Sequence, residues 1–99
     1  MTIDKHLEGK KLTVTVEGRL DTLTAPDLEA ELTPALEGIE AIEFDFARLA
    51  YISSAGLRVL VNAAQALDER DGEMRILNAN SDVRNIFEIT GLTDPLGVE

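Results

Sequence analysis

Residues 50–60 read Ala50-Tyr51-Ile52-Ser53-Ser54-Ala55-Gly56-Leu57-Arg58-Val59-Leu60, and the hydrophobic period changes across them. Before this stretch Ile42, Phe44 and Phe46 alternate with Glu43 and Asp45, the period of two that marks a strand. After it Leu57, Leu60, Val61, Ala64 and Leu67 recur at helical spacing, with Arg58, Asn62, Gln65 and Glu69 on a polar stripe. The spacing predicts a helix over residues 55–69. A strand that feeds a helix through a short polar loop is half of a β-α-β unit, and it sets the fold class.

Upstream, Leu12-Thr13-Val14-Thr15-Val16 alternates apolar residues with threonine, which suits both faces of a sheet. Residues 3–7 form a weaker strand, and Glu8-Gly9-Lys10 between the two marks a hairpin turn. Gly18-Arg19-Leu20-Asp21-Thr22 then leaves the sheet. Thr24-Ala25-Pro26-Asp27 has the marks of a helix start: Thr24 as N-cap, a proline in the first turn, and acid near the positive end. Leu28, Leu32, Ala35 and Leu36 continue it, Pro34 predicts a kink or an early stop, and Gly38 ends it. Downstream, Asp71-Gly72 is a turn and Met74-Arg75-Ile76-Leu77 a short strand. Ser81 caps a helix over residues 82–90 that Gly91 stops. The order β-β-α-β-α-β-α predicts one α/β domain over residues 1–99, its mainly parallel sheet opened by a hairpin.

One Tyr, three Phe and no Trp lead us to expect a core of Leu, Ile, Val and Ala. Cysteine is absent, which removes disulfides, thiolate chemistry and cysteine-based metal sites. No apolar run approaches the roughly 20 residues of a membrane span, and Met1-Thr2-Ile3-Asp4-Lys5 lacks a signal peptide's apolar stretch, so a cytoplasmic location is expected. The net charge of −10 is unevenly spread. Between Leu20 and Ala47 there is no Lys or Arg, against Asp21, Asp27, Glu29, Glu31, Glu37, Glu40, Glu43 and Asp45. Such a surface repels a phosphate backbone, which argues against nucleic acid as a partner. It reads as a solvated face or as a match for a basic protein.

Ser53 and Ser54 stand at the helix start. Capping is the plainest role for Ser54, with its hydroxyl accepting from the first turn. A hydrolytic serine needs a base and oxyanion donors, yet the only histidine is His6 on or beside the first strand, and Gly-x-Ser-x-Gly is not present. One histidine and scattered carboxylates give no metal-ligand spacing, and neither Gly-rich phosphate motif occurs. Enzymatic activity and a bound cofactor are therefore not expected. A third role is to receive a phosphoryl group: a helix N-terminus favours the added charge of about −1.5 to −2. Gly56 would then admit a kinase to the backbone, or simply allow close packing on a strand. Arg58, four residues on, reads first as a solvated arginine and second as one that reaches the phosphate.

Three segments resemble one family in order: Gly18-Arg19-Leu20-Asp21 with Thr24-Ala25-Pro26; Tyr51-Ile52-Ser53-Ser54-Ala55-Gly56-Leu57; and Val83-Arg84-Asn85-Ile86-Phe87-Glu88-Ile89-Thr90-Gly91-Leu92. The chain resembles the anti-sigma factor antagonists, small members of the STAS (sulfate transporter and anti-sigma antagonist) family. The resemblance implies a four- to five-stranded sheet packed with about four helices. It makes Ser54 the phosphoacceptor, with Asp21 near it. Ser53 stands where the best-known members carry Asp, and is the alternative acceptor. The partners implied are an anti-sigma factor that is itself a serine kinase, bound by the unphosphorylated form, and a metal-dependent serine phosphatase. The expected partner surface is Asp21, Thr22, Ser53, Ala55, Gly56, Arg58, Val59 and Asn62, with Ala63 beside them. The competing reading is a constitutive STAS subunit of a lipid-transport ABC system or signalling assembly, in which both serines only pack and cap.

Overall fold

The computed structural model describes all of residues 1–99. Two strands, β1 (Thr2–Glu8) and β2 (Lys11–Leu20), form the antiparallel hairpin expected around Gly9, whose φ of +64° suits the turn. Helix α1 (Ala25–Ala35) follows, then β3 (Ala41–Asp45), β4 (Leu49–Ile52), α2 (Ser54–Asp68), β5 (Glu73–Leu77) and α3 (Ser81–Ile89). Every pairing after the hairpin is parallel: β2 with β3, β2 with β4, and β3 with β5. The α/β class and the mainly parallel sheet agree with the sequence reading.

The strand β4 is an addition to that reading. Only four residues long, its burial runs buried-exposed-exposed-buried, so it shows no alternation to detect. It exists because β2 is longer than its own alternating stretch. The first half of β2 pairs with β3, and a bulge between Gly18 and Arg19 re-aims the rest, so that Gly18, Arg19 and Leu20 pair with β4. Gly18, at φ +109°, makes the bulge, and the chain leaves the sheet at Asp21 rather than at Gly18.

Three helices are present where about four were expected. After α3 the chain makes only a turn, in which the Leu96 N–H donates to the Leu92 carbonyl at 3.0 Å. Pro95 removes a donor and Gly97 turns to φ +65°, so the turn cannot propagate, and Val98 instead bridges to Ile76. In α1, Pro34 lies inside the helix, which ends one residue later, and the Leu36 N–H beyond it still donates to the Leu32 carbonyl at 2.9 Å.

One core holds the elements together. Leu12, Val14, Val16 and Leu20 of β2 and Ile42 and Phe44 of β3 line one sheet face, with Phe46 just beyond β3. Leu28 and Leu32 of α1, Leu60 and Leu67 of α2, and Val83 and Phe87 of α3 join the same core. Its largest members are the three phenylalanines Phe44, Phe46 and Phe87, all fully buried, and the rings of Phe44 and Phe46 lie 5.7 Å apart, so the core is mainly and not wholly aliphatic.

Candidate functional site

The site forms where β2 and β4 end side by side, with Leu20 paired to Ile52. One chain turns there into the loop before α1, the other directly into α2. The Ser53 N–H donates to the Leu20 carbonyl at 2.9 Å and ties the two exits together.

The N-cap of α2 is Ser53, in extended conformation, and its Oγ accepts from the Gly56 N–H at 3.5 Å. Ser54 is the first residue of the helix and is exposed. This corrects the expectation that Ser54 caps. Because the neighbouring serine takes that work, the Ser54 hydroxyl stays free at a helix N-terminus, beside first-turn amides that have no intrahelical partner. The shift of one residue follows from the pairing of Ser53 to Leu20, which holds Ser53 extended as a cap must be.

Gly56 is buried, and its role is packing. A Cβ there would lie 2.7 Å from Leu20 Cγ and 3.0 Å from Ile52 Cγ1, so α2 sits too close to the strands for any larger residue. The glycine opens no path for an approaching kinase. Ala55 is half-buried against the core. Arg58 is exposed one turn beyond Ser54 on the same helix face.

The loop from β2 to α1 is organised by Asp21. Its Oδ1 accepts from the Leu23 N–H at 3.0 Å and the Thr24 N–H at 3.1 Å, and lies 3.2 Å from Thr24 Oγ1. Thr24 Oγ1 accepts from the Asp21 N–H at 2.8 Å and donates to the Arg19 carbonyl at 2.7 Å. Thr24 therefore stands at the helix start with its side chain turned back into the loop, not capping α1 as expected. The Thr24 N–H, above all, holds the Asp21 carboxyl below the usual carboxylate range. Desolvation opposes it, while the Leu23 N–H, the Thr24 hydroxyl and the Arg19 charge add to it. Arg19 also stacks over the Tyr51 ring at 4.4 Å, across the β2–β4 pair.

A pH dependence follows from the lowered value. A carboxyl depressed in the folded state supports the loop above its unfolded pKa of about 3.9 and loses that support as the pH falls through the folded value. The Leu23 and Thr24 amide resonances, followed from neutral to acid pH, should therefore titrate together with a midpoint below that ordinary value. A midpoint at or above it would put the carboxylate outside this turn.

The structure brings Asp21, Thr22, Ser53, Ser54, Ala55 and Arg58 to one rim. It does not bring Val59 or Ala63, which are 6% and 2% exposed and belong to the core. The helix α2 is covered on two sides, by the sheet and by α1, so its buried stripe is wider than the sequence period suggested. Val59, Asn62 and Ala63 line a groove of about 290 Å³ between α1 and α2, with Leu32 and Leu36 opposite. In the C-terminal helix the cap is Asn80, whose Oδ1 accepts from the Val83 N–H at 2.8 Å, and not Ser81.

Two features of the rim escaped the sequence reading. Leu23 is 85% exposed at the loop tip, and Arg19 is held by Tyr51. The run Asp21-Thr22-Leu23-Thr24 contains the side-chain-to-backbone turn pattern that would have shown the first.

Comparison with known proteins places this geometry in a family. The family model "STAS domain" matches residues 2–98. The anti-sigma-B factor antagonist of Staphylococcus aureus (strain NCTC 8325 / PS 47) is 35% identical over 99 residues, covering 99% of this chain and 92% of that protein. Among solved structures, the anti-sigma factor antagonist SpoIIAA in its unphosphorylated form superposes with a TM-score of 0.88 at 20% identity, over 99% of this chain and 86% of that one. The phosphorylated form of the Bacillus cell fate determinant SpoIIAA gives 0.80 at 19% identity, over 99% and 89%. The family model spans nearly the whole chain and the Staphylococcus relative aligns with it almost from end to end, so the chain belongs to the STAS domain family.

Proposed function

We propose that this protein is an anti-sigma factor antagonist switched by phosphorylation of Ser54. In its unphosphorylated form it binds an anti-sigma factor with serine kinase activity and so frees sigma. The kinase then transfers the γ-phosphoryl group of ATP to Ser54 Oγ, ADP leaves, and the new charge breaks the complex. A serine phosphatase hydrolyses the phosphoserine and returns the protein to the cycle. The protein is a binding partner and a substrate in this cycle and not its catalyst, and it works in the cytoplasm beside the transcription machinery.

The observation that carries the reading is the division of labour between two adjacent serines: Ser53 caps, and Ser54 is left exposed and unengaged at the helix N-terminus. A relative named as an antagonist that aligns from end to end supports the same reading. A packing-and-capping subunit would need only the first serine. Added to a preformed sigma–anti-sigma complex, the protein should release sigma, measured as the free fraction on size-exclusion chromatography. Pre-phosphorylated protein should not. Equal release by both forms would remove the switch, and no release by either would remove the antagonist role.

A further inference from the structure

Of the large apolar side chains left exposed, Leu23 is the most so, at 85%. Leu7, also exposed, lies at the hairpin, the opposite end of β2. Single exposed apolar residues are common on protein surfaces. Leu23 differs in being held out. Its own N–H is bonded to Asp21 Oδ1, the next N–H to the same oxygen, and the Ala25 N–H donates to the Asp21 carbonyl at 2.8 Å. The side chain thus rides on a fixed turn, flanked by the uncharged Thr22 and Thr24. Leu23 comes three residues after Leu20 and Ser54 two after Ile52, and those two strand ends are paired. Chain length alone keeps Leu23 within about 11 Å of its strand end, and Ser54 within about 7 Å of its own.

We propose that Leu23 is the apolar anchor by which the anti-sigma kinase holds this protein while it works on Ser54, seated in an apolar recess on the partner. The inference rests on the reading of Ser54 as acceptor. A rigid apolar knob loses little conformational freedom when a partner buries it, so most of its desolvation gain becomes affinity. Anchoring and switching then belong to different loops: Leu23 sets how tightly the partner holds, and Ser54 sets when it lets go. The charge-poor tip also gives a partner something to grip on an otherwise acidic protein.

The test is steady-state phosphorylation by the purified anti-sigma factor that labels wild-type protein on Ser54. Leu23→Ala should raise KM about 10-fold or more with kcat unchanged, and Leu23→Met should restore KM to near the wild-type value. Thermal unfolding of both variants should match wild type, since the side chain touches little of its own fold. An unchanged KM for Leu23→Ala, with Ser54 still labelled, overturns the anchor and leaves the acceptor standing. Loss of kcat at constant KM would also overturn it, by making Leu23 part of the reacting geometry. If no anti-sigma factor from the source cell labels Ser54, the acceptor reading fails and the anchor fails with it.

Discussion

Incubated with its kinase and ATP, the protein should gain one phosphate, on Ser54, and Ser54→Ala should gain none. Ser53→Ala should still be labelled, at a cost in stability instead. The asymmetry follows from the two side chains' positions. Ser53 Oγ accepts from the Gly56 N–H at 3.5 Å, a long bond, so its loss should fall toward the low end of the ~0.5–2 kcal/mol range for an N-cap. Phosphorylating Ser53 would remove that cap and force a dianion into a half-buried position against Leu20. Ser54 has neither cost, being exposed at the first helical residue. Phosphopeptide mass spectrometry after trypsin decides the point. Label retained in Ser54→Ala and lost in Ser53→Ala would move the acceptor and reverse the roles of the two serines.

What was readable in the sequence tracks how local its cause is. The hairpin, the three helices and β3 declare themselves by period and by turn residues within a few positions of one another. The strand β4 does not, because its existence depends on how far β2 extends past the bulge, a tertiary fact. The caps show the same limit. Ser53, Ser54, Asn80 and Ser81 are all good cap residues, and which of each pair is used depends on one hydrogen bond elsewhere: Ser53 N–H to Leu20, and Asn80 Nδ2 to the Leu49 carbonyl at 3.1 Å. Val59 and Ala63 look like small surface residues by type and spacing, and are core residues only because α1 lies across them. Leu23 points outward against its hydrophobicity, and only the loop's hydrogen bonds explain that.

Phosphorylated on Ser54, the protein should lose most of its affinity for the anti-sigma factor and keep its fold. Negative charge at a helix N-terminus is favourable by ~0.3–1 kcal/mol, and by ~2 kcal/mol where partly buried. In a domain of this size 1 kcal/mol moves the melting temperature by roughly 4–8 °C, so calorimetry should find it unchanged or raised by a few degrees. The same charge buried against a packed partner loses its water, which typically costs about 2–5 kcal/mol, or on the order of a 30-fold or larger loss in titration calorimetry. Ser54→Asp should show the effect in the same direction but weaker, since a carboxylate carries less charge than a phosphate. Room for the group comes from the exposure of Ser54 itself, not from Gly56, which is filled against Leu20 and Ile52. Amide shifts should therefore stay within residues 19–24 and 51–62, the two chain exits that Ser53 and Leu20 join. A melting temperature lowered by many degrees, or shifts spread across β1, β3 and β5, would mean the phosphate enters the fold. Partner release would then be unfolding by another name, since the start of α2 cannot move without opening the β2–β4 pair it is hydrogen-bonded to.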